Sequence, residues 1–260
     1  MTAIRFSASV AFVACASISM AQSGLRPPSN HRNFVACPIV RDTKTVPCWL
    51  AESNGQTYYL GIQQDISADV YPPQLGHRVL VEGVVKPGPA LCGGDVLSPV
   101  HVSPLPEIDR ACSTVLPAED GIDAPPASRG PGPAATHAGP RTYAGPPTDG
   151  PTVVIPFDFD SDFLPLRNTT ALERLATRLR ASKKARLEVV GYRATTLLSN
   201  GQRLTEVAGI AERRAAKIGG MLKDLHVAES VAIRAVEAPE RANGVDDPNR
   251  RRVVIRVLAK

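Results

Sequence analysis

From Glu119 to Pro151 the chain runs through Ala-Pro-Pro, Gly-Pro-Gly-Pro, Ala-Gly-Pro and Gly-Pro-Pro with hardly a large apolar residue. Such a stretch cannot bury enough surface to offset the conformational entropy lost on folding. It is expected to be an extended, semi-rigid spacer, because long structureless loops inside one compact domain are rare. Folding must then happen on either side of it, over residues 34–117 and 152–260. A chain of 260 residues, 43% of them hydrophobic, can build the two cores this requires.

The first 25 residues hold one charge, Arg5, followed by an apolar run from Phe6 to Met20 and by small residues at Ser19 and Ala21. These are the parts of a secretory signal peptide over residues 1–21, with the mature chain starting near Gln22. A second reading makes Phe12-Val13-Ala14-Cys15 a lipobox, with a lipid anchor on Cys15. The run is too short to span a bilayer and no later segment is longer, so no transmembrane span is expected. A porin is excluded as well, since membrane barrels need many alternating strands with aromatic girdles.

Between the leader and the spacer the pattern is one of short strands. Val46–Ala51 and Gln56–Ile62 flank Ser53-Asn54-Gly55, a hairpin signal. His77–Val85 alternates around Gly83, and Val96–Val102 supplies a further strand. An all-β small barrel of OB-like type is the first expectation and a small sandwich the second. Cys37, Cys48, Cys92 and Cys112 fall within this region and lack metal-ligand spacing, so two disulfides are expected, with three possible connectivities. Among these, Cys37 with Cys112 ties the ends together and Cys48 with Cys92 crosses a sheet. Trp49, Tyr58, Tyr59 and Tyr71 suit a core better than a base-stacking platform. Residues before Thr152 hold 10 basic against 12 acidic side chains, too few cations for nucleic acid. The remaining residues hold 20 against 13, an excess that favours an acidic surface such as the cell wall or anionic lipid.

After the spacer, Thr152–Phe159 reads as a strand. Asn168 is a plausible cap for a helix whose Leu172, Leu175, Ala176 and Leu179 form one stripe. Arg186–Gly191 reads as a buried strand, a helix then runs from about Thr205 or Gly209 to Leu225, and Val231–Val236 and Arg252–Leu258 complete a β-α-β-α-β-β order. That order predicts an α+β two-layer sandwich. On the second helix, Arg214 falls inside the apolar arc of Ile210, Ala211, Ala215, Ile218, Met221, Leu222 and Leu225, whereas Arg213 falls outside it. An arginine placed there must reach a carboxylate, either a ligand's or an internal one such as Asp158, Asp160 or Glu188.

Phe157-Asp158-Phe159-Asp160-Ser161, the strand ending at Gly191, Arg213-Arg214-Ala215 and Arg251-Arg252-Val253-Val254-Ile255 together resemble the OmpA-like domain, a periplasmic module that in its family grips the peptidoglycan peptide. The resemblance implies that Arg214, in Ile210-Ala211-Glu212-Arg213-Arg214-Ala215, receives a ligand carboxylate, with Tyr192, Arg193 and Arg251 in supporting positions. The chain departs from the family at three places. Gly191-Tyr192-Arg193-Ala194 replaces Gly-His-Thr-Asp, removing the aspartate that holds the ligand's ammonium. Val207 and Ala211 replace an asparagine and a serine, and the segment from Ala194 to Ile210 is several residues longer than usual.

The resemblance implies an exported cell-envelope protein of the periplasm, associated with the outer membrane or wall. Its C-terminal region associates with peptidoglycan while the N-terminal barrel engages an envelope protein partner. The alternative is a structural component of an envelope complex that has lost wall binding. An enzyme is not expected: no Ser-His-Asp context, metal-ligand spacing or glycine-rich phosphate loop is present, and no cofactor or metal is implied.

Overall fold

The computed structural model describes residues 26–62, 73–125, 152–180 and 185–258; the leader with Cys15, Tyr71 and the spacer from residue 126 lie outside them. The N-terminal half forms strands β1 (His31–Ala36), β2 (Pro38–Arg41), β3 (Cys48–Ser53), β4 (Gln56–Ile62), β5 (His77–Val85), β6 (Asp95–Ile108) and β7 (Val115–Leu116). The C-terminal half forms β8 (Thr152–Pro156), α1 (Leu166–Arg180), β9 (Arg186–Tyr192), β10 (Thr195–Leu197), β11 (Arg203–Thr205), α2 (Ile210–Asp224), β12 (Ser230–Val236), α3 (Asp247–Arg250) and β13 (Arg252–Leu258).

The first seven strands make one sheet in the order β1-β5-β6-β4-β3-β2-β7. Asn54 and Gly55 turn the β3–β4 hairpin with both residues at positive φ, 53° and 73°, which glycine takes freely and asparagine tolerates better than most. The sheet curls enough for Phe34 on β1 to meet Tyr58 on β4 with ring centroids 5.5 Å apart, and Trp49, Val79, Val81, Leu97, Val100 and Val102 fill the space between. Trp49 and Tyr58 are thereby core residues. Disulfides join Cys37 to Cys112 and Cys48 to Cys92.

The expected fold class requires correction. The sheet does not close into an OB-like barrel, and the described residues are predominantly β, with sheets of seven, four and two strands and, among those residues, three helices of 15, 15 and 4 residues. Closure fails because both edges are unsuited to it. β7 is two residues long, and the outer edge of β1 is already bonded: Ser199 N donates to Asn33 O at 2.8 Å, and Asn33 N donates to Ser199 Oγ at 2.9 Å. The C-terminal half is in turn no free-standing two-layer sandwich, because it shares buried surface with the first sheet.

That half is built around a four-stranded sheet in the order β12-β9-β13-β8, with β12 parallel to β9 and β13 antiparallel to both of its neighbours. Leu172, Leu175, Ala176 and Leu179 of α1 and Ala215, Ile218 and Leu222 of α2 bury against Ile155, Leu187, Val189, Val253 and Ile255. Asn168 lies inside the first turn of α1 and donates its Nδ2 to Pro156 O at 2.9 Å. Gly191 lets α2 approach β9: a Cβ there would stand 2.0 Å from Ala211 O.

The two halves meet on the outer face of β1, β5 and β6. β5 alternates Val79 and Val81 toward its own core with Leu80 and Glu82 toward the C-terminal half, so it is apolar on both faces. Leu80 packs with Phe159 and Leu198, and Phe159 N donates to Ser103 Oγ at 3.0 Å. Beside them Arg251, 1% exposed, forks onto Glu82 at 3.1 and 2.5 Å, and Thr196 Oγ1 donates to the same carboxylate at 2.9 Å. Burial opposes the charge on Arg251, yet Coulomb attraction and hydrogen bonding from Glu82 hold its pKa above the ordinary arginine value.

Removing one member of a buried pair strands the other. Glu82→Ala is expected to cost about 3–5 kcal/mol in urea unfolding with the disulfides intact. The double variant Glu82→Met/Arg251→Met should cost less than the single one, and a larger loss in the double variant would mean that the pair itself supplies net stability.

Candidate functional site

The site begins with the placement of Arg214 one turn into α2, on the stripe that faces the sheet. Apolar neighbours on that stripe leave a guanidinium no route to water, and Arg214 is fully buried. Its five N–H donors are all used within the chain. Nε donates to Ser161 O at 2.8 Å, Nη1 to Tyr192 O at 3.2 Å and Nη2 to Asp158 O at 2.8 Å. The remaining two form a fork onto Glu206, at 3.0 Å from Nη1 to Oε2 and 2.5 Å from Nη2 to Oε1. The Phe157 ring lies 5.1 Å below the cation.

Glu206 follows directly on β11, and its carboxylate is completely coordinated. Besides the arginine fork, it accepts Asp160 N at 3.0 Å and Ala194 N at 2.8 Å. Four hydrogen bonds match the four lone-pair directions of a carboxylate. β10 and β11 pair as an antiparallel hairpin, whose base is fixed by Glu206 N donating to Ala194 O at 3.1 Å and by Arg193 Nε donating to Glu206 O at 2.6 Å. Asp160, at positive φ, closes the other side by accepting Val207 N at 2.6 Å. Burial, above all, pushes the Asp160 carboxyl above its ordinary value, the Val207 hydrogen bond pulls it down, and the neighbouring Glu206 charge adds to the rise.

The N-terminus of α2, a second source of positive potential, is also occupied. Glu237, just past β12, accepts Gly209 N at 3.1 Å and Glu212 N at 3.3 Å. Gly209 stands at φ 80° as the residue preceding the helix, a conformation that favours glycine. Arg214, Arg251 and the N-terminus of α2 are therefore each met by a carboxylate of the same chain, and Arg193 by the main-chain carbonyl of Glu206.

The residues singled out in the sequence do not converge on one surface. Arg213 is exposed on the far side of α2, as the helical wheel predicts. Tyr192 lends its carbonyl to Arg214, while its ring carries the Arg252 guanidinium at 4.5 Å. Arg193 braces Glu206, and Arg251 serves the contact between the halves. Ala194 is buried and contributes an amide instead of a charge. Glu206 escaped sequence reasoning, which offered Asp158, Asp160 and Glu188 as partners. Its signal was an acid eight positions before the buried arginine, within the lengthened segment. Cys37, Asp109 and Cys112 lie close together, but the two sulfurs are bonded to each other and offer no thiolate pair to a metal.

Arg214→Ala is expected to cost about 3–5 kcal/mol by stranding the buried Glu206, whereas Arg213→Ala should stay within about 0.5 kcal/mol. Paired chemical denaturation curves check both. The raised Asp160 pKa favours the protonated fold, so its contribution is fully present below the unfolded-state value of 3.8 and is lost as pH rises through the higher folded value. Asp160→Asn, which keeps an acceptor for Val207 N, should gain melting temperature over wild type progressively across that rise; a constant offset between the two from pH 3 to pH 7 would contradict it.

No family model matches the chain, and no curated protein matches it. Among solved structures, an outer membrane protein from Borrelia burgdorferi B31 aligns with 18% identity and a TM-score of 0.32, over 44% of this chain and 95% of that one. A likeness of that degree bears on neither fold nor role.

Proposed function

We propose that the protein is exported to the cell envelope and serves there as a structural component of a protein assembly, its OmpA-like region closed to the peptidoglycan peptide. The observation that carries this reading is the state of Arg214. A wall peptide offered to that guanidinium would have to displace a carboxylate already holding four hydrogen bonds in a site with no exposed surface. The position that would receive the peptide's ammonium is the uncharged, buried Ala194. Losing one charged partner on each side of such a contact costs several kcal/mol, far more than surface attraction to the wall returns.

Export draws its support from the leader-like N-terminus and from two disulfides, which persist in oxidising compartments and are rare in reducing ones. In this reading the first sheet is the side that meets the protein partner. The residues before Thr152, 10 basic against 12 acidic, give it no preference for polyanions. Among the described residues no helix is long and apolar enough to cross a membrane.

Two measurements test the proposal. Mass spectrometry of protein recovered from the envelope fraction should find a mature N-terminus near Gln22, and an intact Met1 would remove export. Purified mature protein should remain in the supernatant when peptidoglycan sacculi are sedimented. Co-sedimentation that a soluble stem peptide competes away would restore the wall-binding reading.

A further inference from the structure

Among the described residues, three of the four outer edges of the two large sheets are blunted. Ser199 bonds the main chain of Asn33 on β1, and β7 is two residues long. On β8, Pro156 has no N–H and its carbonyl accepts Asn168 Nδ2 at 2.9 Å. β12 lacks any such device. It reads Ser-Val-Ala-Ile-Arg-Ala-Val, is exposed at six of its seven residues, and holds a regular register against β9 on its inner side. Arg193 N donates to Val236 O at 3.2 Å, which turns the main-chain groups of Val236 toward β9. Alternation along the strand then turns the N–H and C=O of Val231, Ile233 and Ala235 to the free side, where no described residue bonds them. An edge left in this state is a template for one more strand.

What lies beside this edge fits a second copy of the same chain. Ile233, 37% exposed, sits under Gly219 of α2, where a Cβ would stand 2.5 Å from its Cδ1. Gly219 therefore marks the flank of α2 that overlooks the edge, and on the helical wheel Glu212, Ala216 and Lys223 share that flank. We propose that two copies join β12 to β12 antiparallel, about a two-fold axis through Ile233, so that two four-stranded sheets become one continuous sheet. In that register Val231 exchanges hydrogen bonds with Ala235 of the second copy, Ile233 with Ile233 and Ala235 with Val231, and every free group on the edge is used. On the outer face Arg234 falls opposite Ala232, which leaves the long side chain room beside its own Glu188, 3.1 Å away. On the other face α2 packs on both β12 and β9. The axis then sets the two α2 helices about 10 Å apart, the ordinary spacing of packed helices, with Ala216 and Gly219 between them. They run antiparallel, and Glu212 near the start of one lies beside Lys223 near the end of the other. The one like-charge pair, Glu229 opposite Glu237, falls at the ends of the ladder, where Glu237 already accepts the amides of Gly209 and Glu212. The proposal is independent of export and of the partner that meets the first sheet.

Sedimentation velocity of the full-length, disulfide-bonded protein over a range of concentrations tests this. The mass should rise from that of one chain to that of two, and a single-chain mass throughout would overturn the proposal. Ala235→Pro removes one free N–H and leaves the β9 ladder untouched, so this variant should match wild type in circular dichroism and stay a single chain. A dimer that survives the substitution would overturn this interface. Should the variant fail to fold, the helix contact gives a second reading: Glu212→Lys should weaken dimerisation about tenfold, and adding Lys223→Glu should restore it. No weakening in the first, or no recovery in the second, would overturn the antiparallel arrangement. Amide exchange followed by NMR identifies the occupant of the edge. The Val231, Ile233 and Ala235 amides should exchange slowly in the dimer and quickly on dilution. Slow exchange in a single-chain species would mean that the chain covers its own edge, and would also overturn the proposal.

Discussion

A guanidinium removed from water has to be met by acceptors, and the C-terminal half of this protein is arranged around two such groups, Arg214 with all its donors taken and Arg251 forked onto Glu82. Among the described residues Arg214 and Arg251 are the largest fully buried side chains, each paired with an equally buried glutamate. Neither pair need add stability, because the desolvation cost of two charges can equal their attraction. What each pair fixes is geometry. Arg251 can reach Glu82 only when the start of β13 lies over β5, and Glu206 can reach Arg214 only when the hairpin has returned across Ala194. The apolar contacts of Leu80, Phe159 and Leu198 would tolerate some sliding; the forks do not.

These two pairs lie on one path. Thr196 bonds the carboxylate of Glu82, and ten residues later in the same hairpin Glu206 meets Arg214. Seating the halves together and closing that second pair are thus carried by one short two-stranded element. Such a hairpin has little stability alone, since isolated pairs of strands are marginal in water. Its order is borrowed from the first sheet on one side and from α2 on the other.

Much of this was written in local patterns that a reader of sequence can use. Asn54-Gly55 announced its hairpin, the stripe of Leu172, Leu175, Ala176 and Leu179 announced α1, and the wheel placed Arg214 inward and Arg213 outward. What local pattern cannot carry is the identity of a partner brought in from far along the chain. Glu82, in Val81-Glu82-Gly83, reads as the polar side of an alternating strand, yet the face it occupies is covered by residues from the other half. Strand spacing likewise counts strands without saying whether the edges meet. The edge of β1 was taken by Ser199, over 160 positions away, and the barrel that the spacing suggested stays open as a result. Glu206 was missed for a related reason: a partner delivered by a loop has no periodicity to betray it.

The bonds of Asn33 set an order of events for a chain made from its N-terminus. Its side chain waits for Leu197 and Gly244, 164 and 211 positions later, and its backbone waits for Ser199. Until those residues arrive, β1 presents an unpaired edge beside the apolar outer face of Leu80 and Val35, the arrangement from which strands recruit strands of other molecules. The first sheet can therefore form early but cannot be finished early. A chain made in that order stays unfinished until Ser199 and then Gly244 have been added, and the requirement falls on the cell to keep neighbouring chains apart until then.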